Sequence, residues 1–254
     1  MEIIRLPLEG TSNTRDLGGY IGNGKVFKWG KVYRSDCLSK LTEADKDFLV
    51  NRGIKKVIDL RSLGETKKGN NKFENDKRVE YINISLAGDL DPNNPKDFVK
   101  MSAISLIGLY KDILTNKKEE VRDVLKEICQ LKDGESVIFH CTAGKDRTGV
   151  IAMLLLGIVG VTKQDIATNY MQTATNLKYD KALGGNEFKI ASLLPKGVDL
   201  DAVMNMLASP AENIETTYDF LINEFNSFKD YFLRIGLSLE EVEKLITSLT
   251  SDYN

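Results

Sequence analysis

The chain has 254 residues, with 35 Lys+Arg against 37 Asp+Glu, three cysteines, one histidine and 42% apolar residues. That length buries a full core without staples, and three cysteines in it are no disulfide framework. One histidine excludes a His-rich metal site, and a net charge of −2 leaves no electrostatic footprint for nucleic acid or an anionic membrane.

The N-terminus, Met1 to Pro7, carries an acid at position two and no apolar core of useful length, so it does not read as a secretory signal. The stretch that follows reads as turns and short strands. Gly18 to Phe27 places Asn23-Gly24 between two β-prone runs, a hairpin signal. Thr42-Glu43-Ala44-Asp45 fits a helix start and Gly53 its end. Lys56 to Leu60 is short, apolar and β-branched, which predicts a buried strand, and Val79 to Ile84 alternates like another.

From Asp97 to Leu131 the pattern is helical, with a break near Thr115-Asn116. Lys132 to Glu135 is a turn, and Ser136 to Phe139 is a third buried strand. Strands separated by helices predict an α/β fold with a mostly parallel central sheet flanked by helices. After residue 147 the sequence reads as helices only, starting near Thr162, Ser209 and Ser238, with Pro210 at the favoured first helical position. The longest apolar run, Val150 to Val161, is twelve residues with two glycines. It falls short of the roughly 20 needed to span a bilayer, and predicts a helix buried on all sides. One domain over residues 1–254 is the simplest organisation. The irregular stretch at about 173–208 reads either as a helical lid or as an ordinary loop with one amphipathic helix. A cytoplasmic monomer is expected, with export by a route that reads no cleavable signal left open.

The chemistry concentrates where the histidine meets a cysteine, in Val137-Ile138-Phe139-His140-Cys141-Thr142-Ala143-Gly144-Lys145-Asp146-Arg147-Thr148-Gly149. A strand delivers Cys141, a short glycine-bearing loop follows, and the apolar helix begins at about Arg147. Backbone N–H groups of Thr142, Ala143, Gly144, Lys145 and Asp146 and the helix N-terminus then converge on one point, an anion site. The same positive end favours a thiolate. Arg147 can fold back and hold two oxygens of a phosphate. A nucleophile, an anion cradle and a planar cation are the parts of phosphoryl transfer to cysteine. They also supply the positive field that a metal would otherwise provide, so neither metal nor cofactor is expected.

The string from His140 to Gly149 resembles the phosphate loop of the cysteine-based protein tyrosine phosphatases, in particular the bacterial branch with broad specificity. Asn13 to Gly19, Val32-Tyr33-Arg34-Ser35, and Ile58 to Arg61 with Glu65 are similar to further segments of that branch, as is the pattern from Ser209 through Leu249. The resemblance implies a phosphomonoester hydrolase working through a cysteinyl-phosphate intermediate on phosphotyrosine, with phosphoinositides and phosphoserine/threonine as further substrates. It implies that Thr148 bonds the thiolate and helps expel it, and that His140 orients the loop rather than shuttling protons. It offers Asp146 as the general acid. Asp59, at the end of a strand on the same edge, ranks second, and Asp89 or Asp91, placed where other branches carry a mobile acid loop, rank third. Lys145 adds positive charge at the mouth, which the resemblance links to polyanionic head groups. Arg15, Asp16 and Arg61 either support the loop and substrate or form structural ion pairs. Cys37 and Cys129 read as packing residues.

Rival readings are weaker. A nucleotide phosphate loop needs glycine five residues before Gly144 and Ser or Thr after Lys145, where Phe139 and Asp146 stand. A rhodanese-like sulfurtransferase lacks the Arg-Thr-Gly closure. A catalytically weak phosphate-binding module remains an alternative.

Overall fold

The computed structural model describes residues 5–86, 105–177 and 209–253. Asp89, Asp91, the first residues of the expected 97–131 helical stretch and residues 178–208 of the possible lid lie outside them.

The central sheet has five strands in the order β1-β4-β7-β5-β6. They are β1 (Arg15–Asp16), β4 (Val32–Ser35), β5 (Ile54–Asp59), β6 (Glu80–Asn83) and β7 (Ser136–His140). β4, β7, β5 and β6 run parallel, and β1 adds an antiparallel edge. β7 occupies the middle, so all five of its residues are buried. Parallel strands buried on both faces read as continuous apolar runs, as expected for β5 and β7.

The expected hairpin forms from β2 (Ile21–Gly22) and β3 (Lys25–Phe27). Asn23 and Gly24 both take positive φ in its turn, the conformation a two-residue hairpin requires. The expectation of helices alone after residue 147 needs correcting. β8 (Thr250–Asp252) pairs with β3 and completes a three-stranded antiparallel sheet. Its Thr-Ser-Asp sequence has no apolar alternation to announce it, since the pairing is made by backbone groups.

Nine α-helices lie among the described residues. α1 (Glu43–Asn51) starts on the expected Thr42–Asp45 capping box, and α2 (Leu63–Lys68) on a second box built from Ser62 and Glu65. α3 (Leu106–Asn116) and α4 (Lys118–Cys129) divide at Lys117, one residue after the expected break. α5 (Asp146–Val159), α6 (Lys163–Leu177), α7 (Ala211–Phe225), α8 (Phe228–Arg234) and α9 (Leu239–Leu249) make the helical C-terminal half. Pro210 is the N-cap of α7 rather than its first helical residue, a one-residue difference of the usual size at helix ends. None of the described helices is long and apolar enough to cross a membrane.

Strand alternation sorts the core. Val137 and Phe139 of β7 join the larger cluster with α5, while Ile138 joins a smaller one with Leu38, Leu49 and Phe73. α5 is buried almost all round, as its unbroken apolar run predicts. Leu155 on it has no exposed surface. Leu155→Ala is expected to destabilise the fold by about 3 kcal/mol, read as a lower urea midpoint at unchanged slope.

Candidate active site

β7 ends at His140, residues 141–145 form the loop, and α5 begins at Asp146. Gly144 takes φ +66°, and a Cβ there would lie 2.4 Å from the Ser35 carbonyl oxygen. Only glycine allows the loop to lie this close to the end of β4. The loop carbonyls face outward onto fixed donors. Thr142 O accepts from the Cys37 N–H at 3.0 Å, and Ala143 O accepts from Asn13 Nδ2 at 2.9 Å. Gly144 O accepts from Asn13 Nδ2 at 3.2 Å and Arg34 Nη2 at 2.8 Å. In a planar trans peptide the next N–H points opposite to the carbonyl. The N–H groups of Ala143, Gly144 and Lys145 therefore face the loop interior, where an oxyanion would sit.

Arg147 is held by a carboxylate. Its Nη1 and Nη2 donate to Glu65 Oε2 and Oε1 at 2.7 and 2.9 Å, and Thr142 Oγ1 donates to the same Oε1. Burial alone would raise the Glu65 carboxyl, but the Arg147 and Thr142 donors outweigh it and bring it down to about 2. Burial works against the Arg147 guanidinium, and the neighbouring Cys141 and Glu65 more than restore its charge. A guanidinium gripped end-on keeps its Nε–H edge for two further oxygens. Glu65 is the N3 residue of α2, so one carboxylate closes a helix cap and fixes the Arg147 guanidinium. In the sequence Glu65 belongs to a segment similar to the bacterial branch and carries no role of its own.

The two faces of the sheet support the loop differently. Arg15, Arg34 and Phe139 are register partners along the strands, which turns both arginines toward the α5 and α6 side. Both are fully buried, and among the described residues neither forms an ion pair. Arg34 Nη1 donates to Asn169 Oδ1 at 2.5 Å, while Arg15 Nη2 donates to Asn169 O at 2.8 Å and to Thr173 Oγ1 at 3.1 Å. Burial lowers both guanidinium pKa values, that of Arg34 to about 10 even though Cys141 pulls it up.

On the opposite face, His140 Nδ1 lies 2.9 Å from Cys141 O and Nε2 lies 2.7 Å from Asn71 Nδ2. The Asn71 Oδ1 accepts from the Phe73 N–H at 2.9 Å, so its amide nitrogen faces the ring. Nε2 must then be the acceptor and Nδ1 the donor. Burial pushes the His140 pKa down, which fits this neutral tautomer. Asp59 Oδ2 is 3.5 Å from Nε2, a contact with an unprotonated nitrogen and not an ion pair. The true partner of Asp59 is Arg61, whose Nη2 donates to Oδ2 at 2.7 Å and whose Nε donates to Oδ1 at 3.0 Å. The Arg61 backbone N–H donates to Oδ1 at 3.0 Å and Tyr81 Oη to Oδ2 at 3.1 Å. Burial would raise Asp59, but Arg61 outweighs it and the carboxyl stays ionised.

The remaining expected residues fall in three groups. Asp146 and Lys145 stand together at the start of α5, with Lys145 Nζ 3.2 Å from Asp146 Oδ1. Asp146 Oδ1 also accepts from Tyr110 Oη, which lies 2.7 Å from Tyr170 Oη. Thr148 is fully buried and its hydroxyl has no partner among the described residues. A Cβ on Gly149 would come within 3.0 Å of the Tyr170 ring, so glycine here lets α6 approach. Asp16 is not brought to the loop. Its two oxygens accept from the Gly18 and Gly30 N–H groups at 2.8 and 2.7 Å and pin turns elsewhere. Cys37 Sγ contacts Arg61 Nη1 at 3.1 Å, whereas Cys129 packs in the core, where burial pushes its thiol pKa up.

A parallel sheet delivering a buried cysteine into an anion loop closed by arginine defines a cysteine-based, protein-tyrosine-phosphatase-like protein. The model of the tyrosine phosphatase family matches residues 6–251, and the chain belongs to that family. It is 39% identical over 148 residues to a tyrosine-protein phosphatase of Nostoc commune, covering 57% of this chain and 49% of that one. It is 27% identical over 190 residues to the triple specificity protein phosphatase PtpB of Mycobacterium tuberculosis, covering 65% and 68%. The chain thus spans about half the length of the Nostoc relative. A crystal structure of P. aeruginosa TpbA aligns with 75% of this chain and 97% of its own, at 17% identity and a TM-score of 0.36.

The Glu65 value gives a pH signature. Its folded pKa lies below the ordinary 4.5, at about 2, so its contribution is fully present above pH 4.5 and is lost as pH falls toward 2. Glu65→Gln is expected to flatten the acid limb of stability across that window, measured by urea unfolding at stepped pH.

Proposed function

We propose that the protein is a phosphomonoester hydrolase of the tyrosine phosphatase type, working through a cysteinyl-phosphate intermediate. The observation that carries the reading is the end-on grip of Glu65 on Arg147, at 2.7 and 2.9 Å beside the Cys141 loop. It presets a cation whose free edge matches two oxygens of a phosphate, with inward N–H groups for the rest.

In the first step the Cys141 thiolate attacks phosphorus in line, forming the S–P bond as the P–O bond breaks. Arg147 and the amides of Ala143, Gly144 and Lys145 hold the equatorial oxygens. Asp146 gives its proton to the leaving oxygen. In the second step Asp146 takes a proton from water as that water attacks phosphorus, and the thiolate leaves with a hydrogen bond from Thr148. The buried, unpartnered Thr148 hydroxyl supports this role. His140 holds the loop through Cys141 O and exchanges no proton. Asp59, kept ionised by Arg61, serves as a structural anion and not as the acid.

A phosphotyrosyl protein is the proposed substrate. The name of the Mycobacterium relative, a triple specificity protein phosphatase, supports more than one substrate class, and the proposal extends to phosphoserine/threonine and phosphoinositides, which carry the same group. Cys141→Ser is expected to reduce hydrolysis of an aryl phosphate to background, while a chelator leaves the wild-type rate unchanged. Turnover by the serine variant, measured by phosphate release, would sink the reading.

A further inference from the structure

The two carboxylate oxygens of Asp146 face different surroundings. Oδ1 accepts from Tyr110 Oη and lies 3.2 Å from Lys145 Nζ. Oδ2 has no partner among the described residues, and the side chain keeps 22% of its surface exposed. Tyr110 sits on α3 and Tyr170 on α6, both with almost no exposed surface. Their hydroxyls are 2.7 Å apart and their rings meet edge-on with centroids at 6.2 Å.

We infer that Tyr110 is the positioning residue of the general acid, directing the Asp146 proton onto Oδ2, the oxygen open to the leaving group. The inference rests on the proposed acid role of Asp146. A proton on Oδ1 would meet the donated hydrogen of Tyr110 and the Lys145 ammonium, so it resides on Oδ2. Burial and the charge of Asp146 raise the Tyr110 pKa, and burial raises that of Tyr170, so both phenols stay protonated. Tyr110 spends its one hydrogen on Asp146, and its oxygen then accepts from Tyr170. The chain runs one way, Tyr170 to Tyr110 to Asp146, and bonds of such a chain polarise one another. As Cys141 forms the S–P bond, the P–O electron pair passes to the leaving oxygen, which takes the Oδ2 proton. Oδ1 keeps the resulting negative charge against Tyr110 and Lys145.

A proton donor matters only for a leaving group that cannot depart as an anion. This separates positioning from mere structure. The test compares kcat/KM, which reports steps up to phosphoryl transfer, for phenyl phosphate and 2,4-dinitrophenyl phosphate. Tyr110→Phe keeps the ring and removes the donor. It is expected to lower kcat/KM for phenyl phosphate about tenfold, a part of the contribution of a whole general acid, and to leave the dinitrophenyl ester unchanged. Asp146→Asn is expected to show the same selectivity with a larger fall. Equal falls on both esters, or no fall on phenyl phosphate, in Tyr110→Phe would overturn the inference while the acid assignment stands. An Asp146→Asn variant without selectivity would instead remove the acid assignment, and the inference with it. Should Tyr110→Phe fold poorly by urea unfolding, Tyr170→Phe leaves the direct bond in place. A selective fall on phenyl phosphate in that variant supports the inference, and a fall equal on both esters overturns it.

Discussion

Arg34 has almost no exposed surface and donates to the Gly144 carbonyl, and the shape of the Cys141 loop depends on that bond. Burying a guanidinium is costly unless its hydrogens are taken up and its charge is answered. Carbonyl, amide and hydroxyl oxygens take up Nη hydrogens of Arg34 and its neighbour Arg15, while the Nε of each has no partner among the described residues. No carboxylate among the described residues pairs with either. The charge of Arg34 is answered by Cys141 and, in the proposed reaction, by the phosphate, and that of Arg15 by the nearby Asp36. The same contacts turn the loop amides inward. Field and geometry therefore arise from one set of buried donors.

The sheet makes this arrangement possible through alternation. Residues Arg34 and Phe139 share one face, and Asp59 and His140 share the other, because the strands are parallel and in register. Cations accumulate on the face toward α5 and α6. The opposite face carries a neutral imidazole and a closed Asp59–Arg61 pair, which fix the backbone at Cys141 without adding net charge. The loop is held from behind by polar groups of two different kinds. Each kind is reached from a separate strand position that a one-residue slip in register would reverse.

How much of this was legible in sequence follows from distance along the chain. The loop from His140 to Thr148 is contiguous, so its strand, turn and helix start could be read together. Capping boxes at Thr42 and Ser238 are equally local and formed as expected. The contacts that tune the site are remote. Glu65 meets Arg147 across 82 positions, Asn71 meets His140 across 69, and Tyr110 meets Asp146 across 36. Nothing in local periodicity encodes such pairs. One signal was available: Arg34 stands in the apolar strand Val32–Ser35, where a charge must have a purpose. Asp16 shows the reverse, since its neighbour Arg15 turns toward Asn169 and Thr173 of α6 while strand alternation turns Asp16 to the Gly18 and Gly30 amides.

Helix α2 contains only six residues, well below the length at which a helix holds itself in water. It persists on its Ser62 cap and on the Glu65 bridge to Arg147. The arginine therefore tethers the helix as much as the helix tethers the arginine. Damage to either partner is two injuries in one: a misplaced cation beside the Cys141 loop and a frayed segment next to it. Loss of turnover in an Arg147 variant would then measure disorder in residues 63–68 together with the missing charge.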